Sequence, residues 1–232
     1  MLDFSQFRVI TFDCYGTLID WESGILGALR PILTRHSVQL EDPEILRLYG
    51  EFEVEAEAGK YLSYRDVLRE VVRSFGKQMG FQPTAAEQDA LPDSLANWQP
   101  FPDSVAALRQ LKSKLQVGII SNIDDAMFAT SRTKLGVDFD YVTTAGQAQA
   151  YKPSLKIFDL AESRMSIQRN EWVHAGQSVY HDVIPAKSLG LATVWVNRPS
   201  RRPGVGAVRQ AAGQPDAEVR SLAELADLVV NL

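Results

Sequence analysis

The sequence predicts an α/β protein: a doubly wound parallel sheet with a helical domain inserted after the first strand. Two observations carry this. Short apolar runs that end in polar residues alternate with segments whose apolar residues recur every three or four positions. One stretch of about 75 residues, between the first run and Trp98, shows the helical period alone.

In chain order, the first strand is Val9-Ile10-Thr11-Phe12, leading into Asp13 within the hexapeptide FDCYGT. Helical patterns follow over Ile25 to Arg35, Pro43 to Ala58, Arg65 to Gly76 and Ala85 to Ala96. The insertion is therefore expected at 18–96, within a core formed by 1–17 and 97–232. Its two chain crossings read as a hinge at the strand ends, where a lid belongs. Further strands are expected at Val117 to Ile120 before Ser121-Asn122, at Tyr141 to Thr144, at Trp172 to Ala175 before Gly176-Gln177-Ser178, and at Thr193 to Val196. Segments 103–115, 124–135, 154–165 and 182–190 read as helices, with Pro102-Asp103 and Asp182 as helix starts. Residues Arg198 to Pro215, rich in Pro, Gly and Arg, read as a solvated loop, with anion steering or a contact role as the alternative. Neither an internal repeat nor a low-complexity tract is present.

The 232 residues are 45% apolar, ample for a sizeable core. With 24 Lys and Arg against 29 Asp and Glu, the net charge of −5 offers no basic face for nucleic acid, and a small-molecule substrate is expected. The first residues, MLDFSQFRV, carry an acid in place of a basic leader region, and no segment approaches the roughly 20 apolar residues of a membrane span; a cytoplasmic location is expected. The single cysteine, Cys14, excludes an intrachain disulfide and a multi-cysteine zinc site.

Asp13, Ser121, Lys152 and Asp182 follow one another at intervals of 108, 31 and 30 residues, each at or just beyond a strand. In a parallel sheet such positions converge on one edge, where ligands bind. A nucleophilic carboxylate needs neighbours that orient it and hold its charge; the hydroxyls of Thr17 and Ser121, the Asn122 amide and the Lys152 ammonium are suited to that. His181 is an alternative base to Asp182. Cys14 is a competing nucleophile, although strand alternation points it away from Asp13. Trp21 either walls the pocket or packs in the hinge. Glu51, Glu53, Glu55 and Glu57 suggest a solvated helix face, with Arg47 pairing to Glu51.

FDCYGTLID, Ser121-Asn122, Tyr151-Lys152-Pro153 and GQSVYHDVIPAKSLG at 176–190 resemble the four motifs of the haloacid dehalogenase superfamily, in order and across essentially the whole chain. The resemblance implies a Rossmann-like core, a helical cap and an aspartate nucleophile. Most of that superfamily are magnesium phosphatases, with a second Asp two residues after the nucleophile and another acid in the fourth motif. Here Tyr15 and Gln177 stand at those places. A cation that seeks six oxygen ligands is left with Asp13 and Asp182, so no cofactor is expected; weak magnesium belongs only to a phosphatase alternative. The pattern is similar to the metal-free L-2-haloacid dehalogenases, which carry an aromatic residue two positions after the nucleophile. That likeness implies attack by Asp13 on the carbon bearing the halogen, then hydrolysis of the ester by water that Asp182 activates. Thr17, Lys152 and Ser121 complete the catalytic set, and Tyr15, Asn122, Trp21, Arg47, Gln177 and Phe158 are the substrate-contact candidates. Phe158 stands where the subfamily has Tyr. Gly50 aligns with its substrate-gripping cap arginine, with Arg47 one helical turn earlier. Hydrolysis of another C–X bond is a second alternative, a non-catalytic binding protein on this scaffold a third. A homodimer is the family-based expectation.

Overall fold

The computed structural model describes residues 2–199 and 206–230, and the chain divides into two compact units. One contains the chain as far as Asp20, Pro100–Pro199 and the segment from Gln210; the other contains Trp21–Gln99 and, from the later loop, residues 206–209.

The chain enters the first unit through a 3-10 turn at Phe4–Gln6 and strand β1, Val9–Phe12, then builds the second unit from helices α1 (Trp21–Arg35), α2 (Asp42–Glu57), α3 (Tyr64–Met79) and α4 (Ala85–Ser94), with a 3-10 turn at Leu95–Asn97. Helix starts follow side-chain chemistry. The Ser63 hydroxyl accepts from Asp66 N to start α3, and Thr84 with Glu87 forms a reciprocal capping box at α4. On α3, Val67, Leu68, Val71, Val72 and Phe75 are buried at three- and four-residue spacing, each worth about 1.5–3 kcal/mol. Phe75 meets Phe52 of α2 edge to face at 5.1 Å. The solvated face expected on α2 fails at Glu53. That carboxylate is buried and accepts from the phenols of Tyr49 and Tyr64, at 2.8 and 2.7 Å, which makes its burial tolerable.

The remaining elements of the first unit are α5 (Ser104–Lys112), β2 (Gln116–Ser121), α6 (Asp125–Leu135), β3 (Tyr141–Thr144), α7 (Ala145–Ala148), α8 (Leu155–Ser163), a 3-10 turn (Arg169–Glu171), β4 (Trp172–Gly176), a π-helical turn (Val179–Val183), α9 (Ile184–Ser188), β5 (Ala192–Val196), β6 (Ala217–Val219) and α10 (Leu222–Val230). The six strands run parallel in the order β3-β2-β1-β4-β5-β6. All of β1 is buried, as a strand covered on both faces requires.

The helix start expected at Pro102-Asp103 is found: α5 begins at Ser104 with Asp103 as its N-cap residue. The Asp103 carboxylate itself accepts from Leu222 N and Ala223 N at 2.7 and 3.2 Å, so the acid sits on the positive end of α10. One expectation is corrected here. The loop from Arg198 is not simply solvated. Arg198 donates to Asp103 and to the Thr17 carbonyl and lies 4.0 Å from the Phe101 ring centroid. Farther along, Ala207 is buried and its N–H donates to Glu22, which joins 206–209 to the helical unit. Residues 200–205 of that loop lie outside the described residues.

Candidate active site

β1 lies at the point where strand order reverses, with β2 on one side and β4 on the other. Phe12 registers with Ile119 and with Ala175, so the residues that leave the three carboxyl ends meet at one level, in the crevice where open α/β sheets bind ligands. Asp13 is the first residue beyond β1 and still joins the ladder, donating its N–H to the Ala175 carbonyl at 3.0 Å. The chain then turns tightly. Gly16 adopts φ +88°, a conformation that favours glycine, and Leu18 N returns to the Cys14 carbonyl at 2.7 Å. This turn brings Thr17 back to Asp13, whose Oδ2 accepts from the Thr17 hydroxyl at 3.0 Å. Thr17 Oγ1 in turn accepts from Gln177 N at 2.9 Å.

Lys152 is fully buried. Its Nζ donates to Asp13 Oδ1 at 2.9 Å, Asp182 Oδ1 at 2.7 Å and the Ile120 carbonyl at 2.9 Å, so all three ammonium hydrogens have acceptors. Asn122 fixes the lysine from behind. Its Oδ1 accepts from Lys152 N at 2.7 Å and its Nδ2 donates to the Lys152 carbonyl at 3.2 Å, so the Asn122 amide serves the scaffold. Asp182 does not cap a helix as expected. It lies inside the π-helical turn, which Ser178 caps through its hydroxyl to His181 N, and Asp182 Oδ2 accepts from Ser178 N at 3.2 Å. The turn presses Asp182 against β4: a Cβ on Gly176 would stand 2.3 Å from Asp182 Oδ2. Gly176→Ala is therefore expected to displace Asp182, lowering turnover by about 100-fold and stability by about 1–3 kcal/mol. Steady-state rates and denaturant midpoints check this, and unchanged turnover would contradict the fit.

The other candidates separate. Ser121, at the end of β2, has a buried hydroxyl without a partner among the described residues, as has Gln177 Oε1. Both are polar atoms that a ligand can satisfy. Tyr15 is buried, its hydroxyl 2.8 Å from that of Ser131 on α6. Phe158 is fully buried on α8 and packs edge-on against His174 at 5.1 Å; it is a core side chain, not a pocket wall. Within the helical unit, Trp21 packs edge-on against Tyr49 at 5.7 Å. Arg47 pairs with Glu44 and Glu51 of its own helix, at 2.7 and 2.5 Å. The Ala207 carbonyl lies 2.4 Å from where a Cβ on Gly50 would be, so no larger side chain fits there. Burial pushes the Cys14 thiol pKa up, keeping it protonated and weakly nucleophilic. His181 contacts Ser178, while His174 on β4 reaches Asp182 Oδ1 at 3.2 Å.

Charge is distributed unequally. Burial alone lowers the Lys152 pKa, but the two carboxylates outweigh it and hold it at about 12. Burial raises Asp182 too, yet Lys152 and His174 take it well below the ordinary carboxylate value. At Asp13 burial prevails over Lys152 and Thr17, and the neighbouring Asp182 adds to the rise. A more basic carboxylate is the better nucleophile once ionised.

A family model of haloacid dehalogenase-like hydrolases matches residues 7–190. An (S)-2-haloacid dehalogenase of Pseudomonas fluorescens is 26% identical over 228 residues, covering 95% of each chain. The (S)-2-haloacid dehalogenase H-109 of Pseudomonas putida is 28% identical over 231 residues, covering 96% of this chain and 97% of its own. The structure of L-2-haloacid dehalogenase from Xanthobacter autotrophicus with chloropropionic acid covalently bound has the same fold, with a TM-score of 0.79 at 22% identity over 96% of this chain and 98% of that one. With the aspartate, the lysine and the parallel sheet in place, the family match assigns the chain: it is an enzyme of the haloacid dehalogenase-like hydrolase family.

Proposed function

We propose that this enzyme hydrolyses the carbon–halogen bond of a small 2-haloacid without a metal, through an ester on Asp13. The observation that carries the reading is the Lys152 ammonium, seated between Asp13 and Asp182 with no second acid at position 15. The two carboxylates that magnesium would need are already bridged by a cation. Among the described residues no group of three or more His, Cys, Asp or Glu could hold a metal. That donor set is a poor fit for an octahedral ion.

The geometry supports the following chemistry. An Asp13 oxygen attacks the halogen-bearing carbon in line; the C–O bond forms as the carbon–halogen bond breaks, and the halide leaves with the electron pair. Halide is a weak base and needs no proton, which suits a site with a tyrosine at position 15. Water then attacks the Asp13 carboxyl carbon and gives up a proton towards Asp182. The acyl C–O bond breaks, the departing oxygen is protonated, and a 2-hydroxy acid is released while Asp13 returns as carboxylate. The test is halide release from each enantiomer of 2-chloropropionate, with and without EDTA. Release unaffected by chelator is expected; loss with EDTA and rescue by magnesium would overturn the metal-free reading.

A further inference from the structure

A buried chain of hydrogen bonds runs from Trp172 to Asp182 behind the nucleophile. Trp172 Nε1 lies 2.8 Å from Thr11 Oγ1, Thr11 Oγ1 lies 2.8 Å from His174 Nδ1, and His174 Nε2 lies 3.2 Å from Asp182 Oδ1. All four residues are about 1% exposed. The chain has a direction. An indole N–H can only donate, so Thr11 Oγ1 accepts from Trp172 and keeps its own hydrogen to give; the ionised Asp182 can only accept, so in a neutral ring His174 carries its proton on Nε2 and takes the Thr11 hydrogen at Nδ1. Nδ1 is then an acceptor, the ring proton sits on Nε2, and Nε2 donates to Asp182 Oδ1. Phe158, edge-on to the ring at 5.1 Å, holds its plane.

This order divides the two oxygens of Asp182. Oδ1 receives Lys152 Nζ at 2.7 Å and His174 Nε2 at 3.2 Å, which fills both of its acceptor sites. Among the described residues Oδ2 receives Ser178 N alone, at 3.2 Å, which leaves one acceptor site open there. We propose that His174, fixed as the Nε2–H tautomer by Thr11 and Trp172, is a positioning residue that locks Asp182 so that Oδ2 is the oxygen that takes the proton from water during ester hydrolysis. The kinetic part rests on the ester mechanism proposed above; the tautomer does not. His174 acts through Asp182, and the first step, attack by Asp13, does not pass through it.

The test has two arms on the full chain. In the first, long-range proton–nitrogen NMR of histidine-labelled protein reads the tautomer; with 3 histidines, the His174 signals are those lost in His174→Gln. The expected wild-type pattern is a protonated Nε2 and a bare Nδ1, and Thr11→Val should lose it. A wild type with Nδ1 protonated overturns the proposal whatever the substrate is. In the second arm, single-turnover reaction with 2-chloropropionate is followed in His174→Leu and His174→Gln. Ester formation is expected to stay near the wild-type rate while ester hydrolysis slows by about tenfold or more in the Leu variant, with recovery in Gln, whose amide can still donate to Asp182. Equal slowing of both steps, or hydrolysis at the wild-type rate in His174→Leu, would overturn the positioning role. A wild-type enzyme that releases no halide would overturn the dehalogenase reading alone, and the NMR arm would still decide His174.

Discussion

Asp13→Asn is expected to abolish turnover, by 10⁴-fold or more, without destabilising the fold. The amide has the shape of the carboxylate but no nucleophilic charge. The effect on stability follows from the sign of the pKa shift. Burial raises the Asp13 pKa above its unfolded value, so the ionised form is disfavoured by folding at neutral pH, and a neutral isostere relieves that strain. Like-charge repulsion from Asp182 is removed at the same time. A thermal midpoint equal to or above that of wild type, together with lost turnover, is the expected pair of results. A variant as active as wild type would remove Asp13 as nucleophile.

Lys152→Met is expected to remove both activity and stability. Methionine fills a similar volume but leaves two buried carboxylates and the Ile120 carbonyl without their shared donor. Breaking a buried ion pair on one side costs about 3–5 kcal/mol. The loss should depend on pH in a direction the charges dictate. Without the ammonium, the folded-state pKa of the carboxylates lies above the unfolded value, so the variant regains stability as pH falls through that raised value. Denaturant unfolding of wild type and variant at neutral and mildly acidic pH measures this. A constant difference between the two would show that Lys152 does not hold the pair.

The sheet and four of its site positions were legible because a buried parallel strand leaves a continuous apolar run and the site lies at its end. Asp13, Ser121, Lys152 and Asp182 all read as lying at or just beyond a strand, and the resemblance to a known superfamily gives their order; in the structure α7 stands between β3 and Lys152. What escaped depends on contacts remote in sequence. Strand β6 has three residues, too few to show a period, and Asp103 caps a helix 119 positions later. Glu53 looked solvated because its phenol partners are invisible to periodicity. His174 does carry a signal in the sequence: a polar ring within an apolar strand needs partners on both nitrogens, and here one of them is Asp182. Arg47 pairs with Glu51 as its i, i+4 spacing implies, and also with Glu44.

The covalent role of Asp13 is tested most directly by single-turnover hydrolysis of 2-chloropropionate in heavy-oxygen water, with enzyme in excess, followed by mass analysis of the peptide that carries Asp13. Label in the Asp13 carboxylate, with unlabelled 2-hydroxy acid, is the expected result. Label in the product and none in the peptide would mean that water attacks the substrate directly and that Asp13 is not the nucleophile.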